Sequence, residues 1–142
     1  IANSFSLRVE HTGGKIYTEV EAVDSTVYVE ETHFSNVIFN LMDNAVKYSK
    51  PESPLNIYLR TWNEGGKVKI SVRDNGIGIK KENQKKIFEQ FFQVPRGEGK
   101  RLRGYGVGLA FSKYVVEAHG GTLSVQSQEG KGSTFTCIIP KE

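Results

Sequence analysis

One helix with two conflicting faces constrains this chain more than any other feature. The segment HFSNVIFNLMDNAVKYS lies in an amphipathic stretch from roughly Glu31 to Tyr48. At about 100° per residue, Phe34, Val37, Ile38, Leu41, Met42 and Ala45 fall in one sector, which predicts packing against a sheet. Asn36, Asn40, Asp43, Asn44 and Lys47 fall on the other side. A solvated helix face favours Glu, Lys, Gln and Arg, whereas each Asn costs a few tenths of a kcal/mol relative to Ala. Three Asn at four-residue spacing therefore point to a task other than stability. An amide oxygen can coordinate a hard cation, and Mg²⁺ takes few protein ligands and keeps phosphate oxygens for the rest. Lys47, one turn beyond Asn44, places an ammonium beside the same phosphates.

Strand patterns flank that helix in pairs. Phe5–Val9 and Ile16–Val20 alternate around the turn residues His11 to Lys15, which predicts a hairpin, and Val27–Val29 reads as a short third strand. Pro51 ends the helix near Ser49. Leu55–Trp62 and Lys67–Arg73 form a second hairpin across Asn-Glu-Gly-Gly. Lys81–Phe88 reads as a short helix, and Leu109–Ala118 as a second strong helix ended by Gly120-Gly121. Thr122–Gln126 and Thr134–Ile139 complete the strands. Paired strands interleaved with helices predict an α/β two-layer sandwich, with a mixed, mostly antiparallel sheet covered on one face by about three helices.

With 142 residues the chain has the size of one domain, and with 37% apolar residues it can bury a core. No apolar run reaches the roughly 20 residues of a membrane span, and the start lacks a signal-peptide pattern. The chain begins without Met and enters a strand pattern almost at once, so a piece of a longer protein is expected. A net charge of +3 is too weak to argue for nucleic acid. The single cysteine, Cys137, sits in the apolar run FTCIIP and reads as a buried structural thiol.

Two glycine-rich stretches carry further chemistry. Arg73-Asp74-Asn75-Gly76-Ile77-Gly78-Ile79 follows directly on a strand. Asp74, at the end of that strand, is placed to be partly buried, and a buried carboxylate needs a partner. The exocyclic amine of adenine would supply one, with the glycines letting the backbone pass close to a flat base. Arg103-Gly104-Tyr105-Gly106-Val107-Gly108-Leu109-Ala110 opens a helix, where free N–H groups and the helix dipole favour phosphate. It is neither the Walker nor the Rossmann pattern. Gly130-Lys131-Gly132-Ser133-Thr134-Phe135 leads into the last strand, and Ser133 joins Asp74 if the fold brings them together.

In this order the motifs resemble the ATP-binding catalytic domain of two-component sensor histidine kinases, within the superfamily that also includes gyrase, a heat-shock chaperone and mismatch-repair ATPases. The resemblance covers essentially the whole chain as one domain, 1–142. NVIFNLMDNAVKY (Asn36–Tyr48) looks like the family's N box and RDNGIGI like its first glycine box. IFEQFF (Ile87–Phe92) looks like its F box, and RGYGVGLA and GKGSTF like its later glycine boxes. The HF…NVIFNLMDNAVKYS run is similar to sensor kinases of Bacteroidetes-type bacteria.

The resemblance implies ATP and Mg²⁺ as cofactors. It makes Asn44 the metal ligand, puts Asn40 near metal and phosphates, and gives Lys47 a phosphate and Tyr48 the nucleotide. Asp74 would recognise the adenine amine, helped through water by Gly78 and Ser133, with Gly76 and Ile79 in the same pocket. Phe88, Phe91 and Phe92 would anchor a flexible ATP lid at about 93–103. Arg103, Gly104, Tyr105, Gly106, Val107, Gly108 and Leu109 would form its far hinge, with Arg103 and Lys100 meeting phosphate on closure.

ATPase relatives carry a Glu one turn before the metal asparagine. That position is Asn40 here, which cannot act as a base. No phosphoacceptor histidine motif is present: His11, His33 and His119 read as structural or exposed. The implied partners are the dimerisation and phosphoacceptor helices of the same parent kinase and a response regulator. The implied place is the cytoplasmic part of a membrane-anchored sensor, with the isolated domain monomeric. Three rivals predict different behaviour: an ATPase fragment would hydrolyse ATP alone, a degenerate signalling module would bind no nucleotide, and an anti-sigma-type kinase would phosphorylate serine.

Overall fold

The computed structural model describes residues 7, 9–20, 31–51, 53–89, 95–96, 100–101 and 108–140. Its strands are β1 (Ile16–Val20), β2 (Ile57–Glu64), β3 (Lys67–Asp74), β4 (Pro95–Arg96), β5 (Lys100–Arg101), β6 (Thr122–Gln128) and β7 (Gly132–Pro140). The helices are α1 (Glu31–Lys47) and α2 (Gly108–Ala118). Lys81–Asn83 and Lys86–Phe88 are two 3-10 turns where one short helix was expected. Five strands form one sheet in the order β1-β2-β3-β7-β6, parallel at β1–β2 and antiparallel elsewhere. β4 and β5 pair separately.

Two expectations at the start of the chain are corrected. Leu7, Val9 and Glu10 are helical, with the His11 N–H donating to Leu7 O at 3.0 Å. Val9 is fully buried, so that turn contributes to the core as a helix does. The first hairpin is therefore absent: β1 pairs in parallel with β2, Ile16 opposite Ile57. A parallel neighbour requires a crossover, and α1 supplies it. Val27–Val29 lies outside the described residues.

The register explains how the core is built. Alternation along each strand puts Ile57, Val72, Ile70, Phe135, Cys137 and Leu123 on one face, all buried. Against that face α1 sets Val37, Leu41, Met42 and Ala45, each at most 1% exposed, as its apolar periodicity predicts. Each such side chain contributes roughly 1.5–3 kcal/mol by leaving water, Ala45 less. From α2 come Leu109, Val115 and Val116. Gly120, at φ 79°, ends α2, and the Gly121 N–H returns to Val116 O at 2.9 Å, as the Gly-Gly pair leads one to expect. Cys137 is buried, which pushes its thiol up to about 12. No described helix is long and apolar enough to cross a membrane.

The opposite face of the sheet carries Tyr17, Tyr58, Arg60, Trp62 and Arg73 in register. There Tyr17 stacks on Tyr58 at 4.9 Å, and the Arg73 guanidinium lies 4.3 Å from the Tyr58 ring centre.

Candidate nucleotide site

The buried ladder of apolar rows ends in a polar one. Ile57, Asp74, Ser133 and Ser127 sit directly opposite one another on β2, β3, β7 and β6. Asp74 is only 5% and Ser133 4% exposed. The Asp74 Oδ1 accepts the N–H of Gly76 at 2.9 Å and that of Ser133 at 3.3 Å. Both donors go to Oδ1, so Oδ2 has no hydrogen bond among the described residues. Burial raises the Asp74 carboxyl to about 6, and the two backbone N–H groups only partly oppose that.

Glycines let three backbones converge on this carboxylate. A Cβ on Gly76 would stand 2.1 Å from Tyr48 O, and one on Gly132 2.1 Å from Asp74 O. Gly78, at φ 72°, lies against the β6–β7 turn, where a Cβ would meet Gln128 O at 2.2 Å. The loop after β3 is thus pinned to the end of α1, where the Ile77 N–H donates to Tyr48 O at 2.7 Å. These glycines have a packing reason of their own. Asn75 ties the same loop to the segment before β2: its Oδ1 accepts from Asn56 N–H at 2.8 Å and its Nδ2 donates to Pro54 O at 3.1 Å.

The asparagines of α1 divide into two kinds. Asn40 Nδ2 donates to Gly108 O and to Ser112 Oγ, both at 3.3 Å. Asn44 is half-buried, and its side-chain amide makes no hydrogen bond to another described residue. Of these two, Asn44 is the one whose amide is free to ligate a hard cation, and a neutral oxygen donor of this kind fits Mg²⁺. Lys47 pairs with Asp43 at 3.0 Å, both partly exposed. Tyr48 is buried in the core, which pushes its hydroxyl up to about 12. Ile79 is buried with its N–H bonded to Ser127 Oγ at 2.8 Å, and Leu109 is buried on α2.

Phe88 packs edge-on against Phe135 with ring centres 6.3 Å apart, and Lys113 of α2 lies 5.2 Å from the Phe88 ring centre. The first aromatic of the F-box stretch is thereby fixed between sheet and α2. Phe91 and Phe92, most of the expected lid, and Arg103, Gly104, Tyr105, Gly106 and Val107 lie outside the described residues. Within the stretch expected to form a lid, β4 and β5 make a short ribbon.

Two polar residues of the site escaped the sequence reading. Ser127 continues the inward phase of Leu123 and Val125, and Ser112 lies on the buried side of α2. A hydroxyl in an apolar phase was the available signal in both.

The family described as histidine kinase-, DNA gyrase B-, and HSP90-like ATPase matches residues 29–142. The chain belongs to this family. It is 48% identical over 140 residues to the sensor protein RprX of Bacteroides fragilis, covering 99% of this chain and 27% of that protein. It is 37% identical over 117 residues to the sensor histidine kinase WalK of Bacillus subtilis, covering 82% of this chain and 19% of WalK. Full-length ShkA, solved in complex with AMPPNP, superposes with a TM-score of 0.83 at 29% identity, over 99% of this chain and 28% of ShkA. The nucleotide-free catalytic domain of histidine kinase ThkA superposes at 0.80 with 26% identity, over 98% of this chain and 88% of that domain. This histidine kinase-type ATPase domain thus spans about a quarter of RprX and less of WalK. The mixed sheet and its helical layer are those of the ThkA catalytic domain.

Proposed function

We propose that this domain binds Mg-ATP between α1, the β3 loop and the start of α2, and donates the γ-phosphate to a histidine on separate dimerisation and phosphoacceptor helices. The observation that carries the reading is the Asp74 carboxylate, buried to 5% exposure with one oxygen saturated by backbone N–H groups and the other without a partner. That second oxygen is an open acceptor, which a ligand donor can meet. The amine of adenine is such a donor, and the AMPPNP bound by ShkA supports a nucleotide as the ligand.

Asp74 and Ser133 hold the base, and Asn44 is the residue that would ligate Mg²⁺. A metal held there by Asn44 would supply positive charge against that of the phosphates. Lys47 lies one turn from Asn44 and turns from Asp43 toward the phosphates. Asn40 holds the first residue of α2, so the backbone there keeps its place as phosphate arrives. In the transfer, a bond between the γ-phosphorus and the bridging oxygen breaks, and ADP leaves. A bond from phosphorus to an imidazole nitrogen forms, and the imidazole proton is lost to solvent. The amide of Asn40 cannot act as a base toward water, which favours holding ATP over hydrolysing it. A response regulator would then receive the phosphoryl group.

Calorimetric titration with a non-hydrolysable ATP analogue, with and without Mg²⁺, tests the reading. Binding that strengthens with Mg²⁺ is the expected result, and no binding in either condition overturns it. Transfer from ATP to a supplied phosphoacceptor helix pair, assayed for acid-labile phosphate, tests the second half.

A further inference from the structure

The hydroxyl protons beside Asp74 can be traced. Ser127 Oγ accepts the Ile79 N–H at 2.8 Å, lies 2.9 Å from Gly132 O, and lies 2.7 Å from Ser133 Oγ. Ser127 has one hydroxyl proton. A carbonyl oxygen cannot donate, so a 2.9 Å contact to Gly132 O without a proton between would set lone pair against lone pair. The Ser127 proton therefore goes to Gly132 O. The proton in the 2.7 Å pair must then come from Ser133. Having given its only proton to Ser127, Ser133 Oγ meets anything else as an acceptor. Its neighbour Asp74 presents a carboxylate oxygen, also an acceptor.

Ser127 is itself held. Gln84 Nε2 donates to Ser127 O at 3.1 Å and to Ile79 O at 2.9 Å, bracing the strand against the loop that supplies the Ile79 N–H. The hydroxyl of Ser127 is thus fixed from three directions, and that of Ser133 follows.

We infer that Ser127 orients the Ser133 hydroxyl so that the inner wall of the base pocket presents acceptors alone, and so selects a 6-amino purine over a 6-oxo purine. This rests on the nucleotide reading above and adds the residue that sets its base specificity. A 6-amino group brings the N–H donors this wall lacks. A 6-oxo group brings a third acceptor, which Ser133 could satisfy only by turning its proton away from Ser127. Ser127 acts through Ser133 and is a positioning residue.

The test compares Kd values for non-hydrolysable ATP and GTP analogues in wild type, Ser127→Ala, Ser127→Cys and Ser127→Thr. In Ser127→Ala the Ser133 proton is released, and the preference for ATP is expected to fall by about tenfold, chiefly through tighter GTP binding. Ser127→Cys, a weak donor and acceptor of similar size, shifts the preference in the same direction and serves if the alanine variant does not fold. Ser127→Thr keeps the hydroxyl and restores the wild-type ratio. In a Ser133→Ala background, Ser127→Ala changes the ratio no further. A purely structural role would weaken both nucleotides equally, so an unchanged ratio in folded Ser127→Ala overturns the inference while leaving ATP binding intact. Absence of ATP binding by the wild type overturns the nucleotide reading itself.

Discussion

Asn40 on α1 donates its amide proton to the carbonyl of Gly108, the first residue of α2, at 3.3 Å. The same nitrogen reaches Ser112 Oγ, and Ser112, fully buried, donates to Gly108 O at 2.9 Å. The three groups close a small network that fixes where α2 begins. Asn40→Ala is expected to destabilise the nucleotide-free domain by about 1 kcal/mol, the net worth of a neutral hydrogen bond. Asn40→Asp should cost about 2 kcal/mol, because a carboxylate would face the Gly108 carbonyl. Asn44→Ala, removing an amide without a described partner, should be neutral or slightly stabilising through helix propensity. Urea unfolding of the three variants checks the contrast.

Asp74 makes stability depend on pH in a direction unusual for a carboxylate. Burial lifts its folded value to about 6, above the reference 3.8. Between those values the native state binds more protons than the unfolded one. Its contribution is therefore fully present below about pH 4 and is lost as pH rises through about 6. The full change is about 3 kcal/mol. Asp74→Asn keeps an oxygen for the two backbone donors and carries no charge. It is expected to be more stable than wild type at pH 8 by up to that amount, with the difference shrinking toward pH 4. Unfolding curves across pH, without nucleotide, decide this, and a variant less stable at pH 8 refutes it.

ATP affinity should respond oppositely to the same group. A base amine donates to the carboxylate, so the ionised form binds. Below about pH 6 the affinity is expected to fall toward tenfold per pH unit, whereas the empty domain gains stability there. In Asp74→Asn the pH dependence and most of the affinity should vanish together. Titration calorimetry at several pH values measures both.

The sequence made some of this legible and hid the rest for physical reasons. The two faces of α1 could be read because helical periodicity is local, and Val37, Leu41, Met42 and Ala45 are buried as their spacing predicts. Asp74 could be read because a carboxylate ending an apolar strand is conspicuous. The row Asp74–Ser133–Ser127 could not be read in full. Its members lie on three strands, and only the register brings Ser127 beside Ser133. The start of the chain misled for the opposite reason. Five alternating residues in FSLRV fit a strand as well as a helical turn, and what decides is distant. Thr12 Oγ1 donates to Val9 O at 2.6 Å and accepts the Leu55 N–H at 2.9 Å, closing that turn onto the segment before β2.

The division between Asn40 and Asn44 yields a test of the metal role. If Asn44 ligates Mg²⁺, Asn44→Ala weakens Mg²⁺-dependent binding of an ATP analogue by about tenfold or more and leaves Mg²⁺-free binding nearly unchanged. Asn40→Ala, which loosens α2, should weaken both. Equal losses for Asn44→Ala in the two conditions would argue that its amide meets the nucleotide directly.

Gly76 tests the geometry that carries Asp74. Its N–H donates to the Asp74 carboxylate at 2.9 Å, and its Cα faces the Tyr48 carbonyl so closely that a Cβ would stand 2.1 Å away. Gly76→Ala must push the loop off the end of α1, straining the bond from Ile77 N–H to Tyr48 O and the bond to Asp74 at once. A loss of roughly 2–4 kcal/mol is expected, at the upper end for a single methyl. Gly65 provides the control: its φ is 58° but nothing lies within 4 Å of an added Cβ. Gly65→Ala should cost only the left-handed backbone penalty of about 1 kcal/mol. Thermal or urea unfolding separates the two. If Gly76→Ala costs no more than Gly65→Ala, the loop after β3 is not held against α1, and Asp74 loses the support that shapes its site.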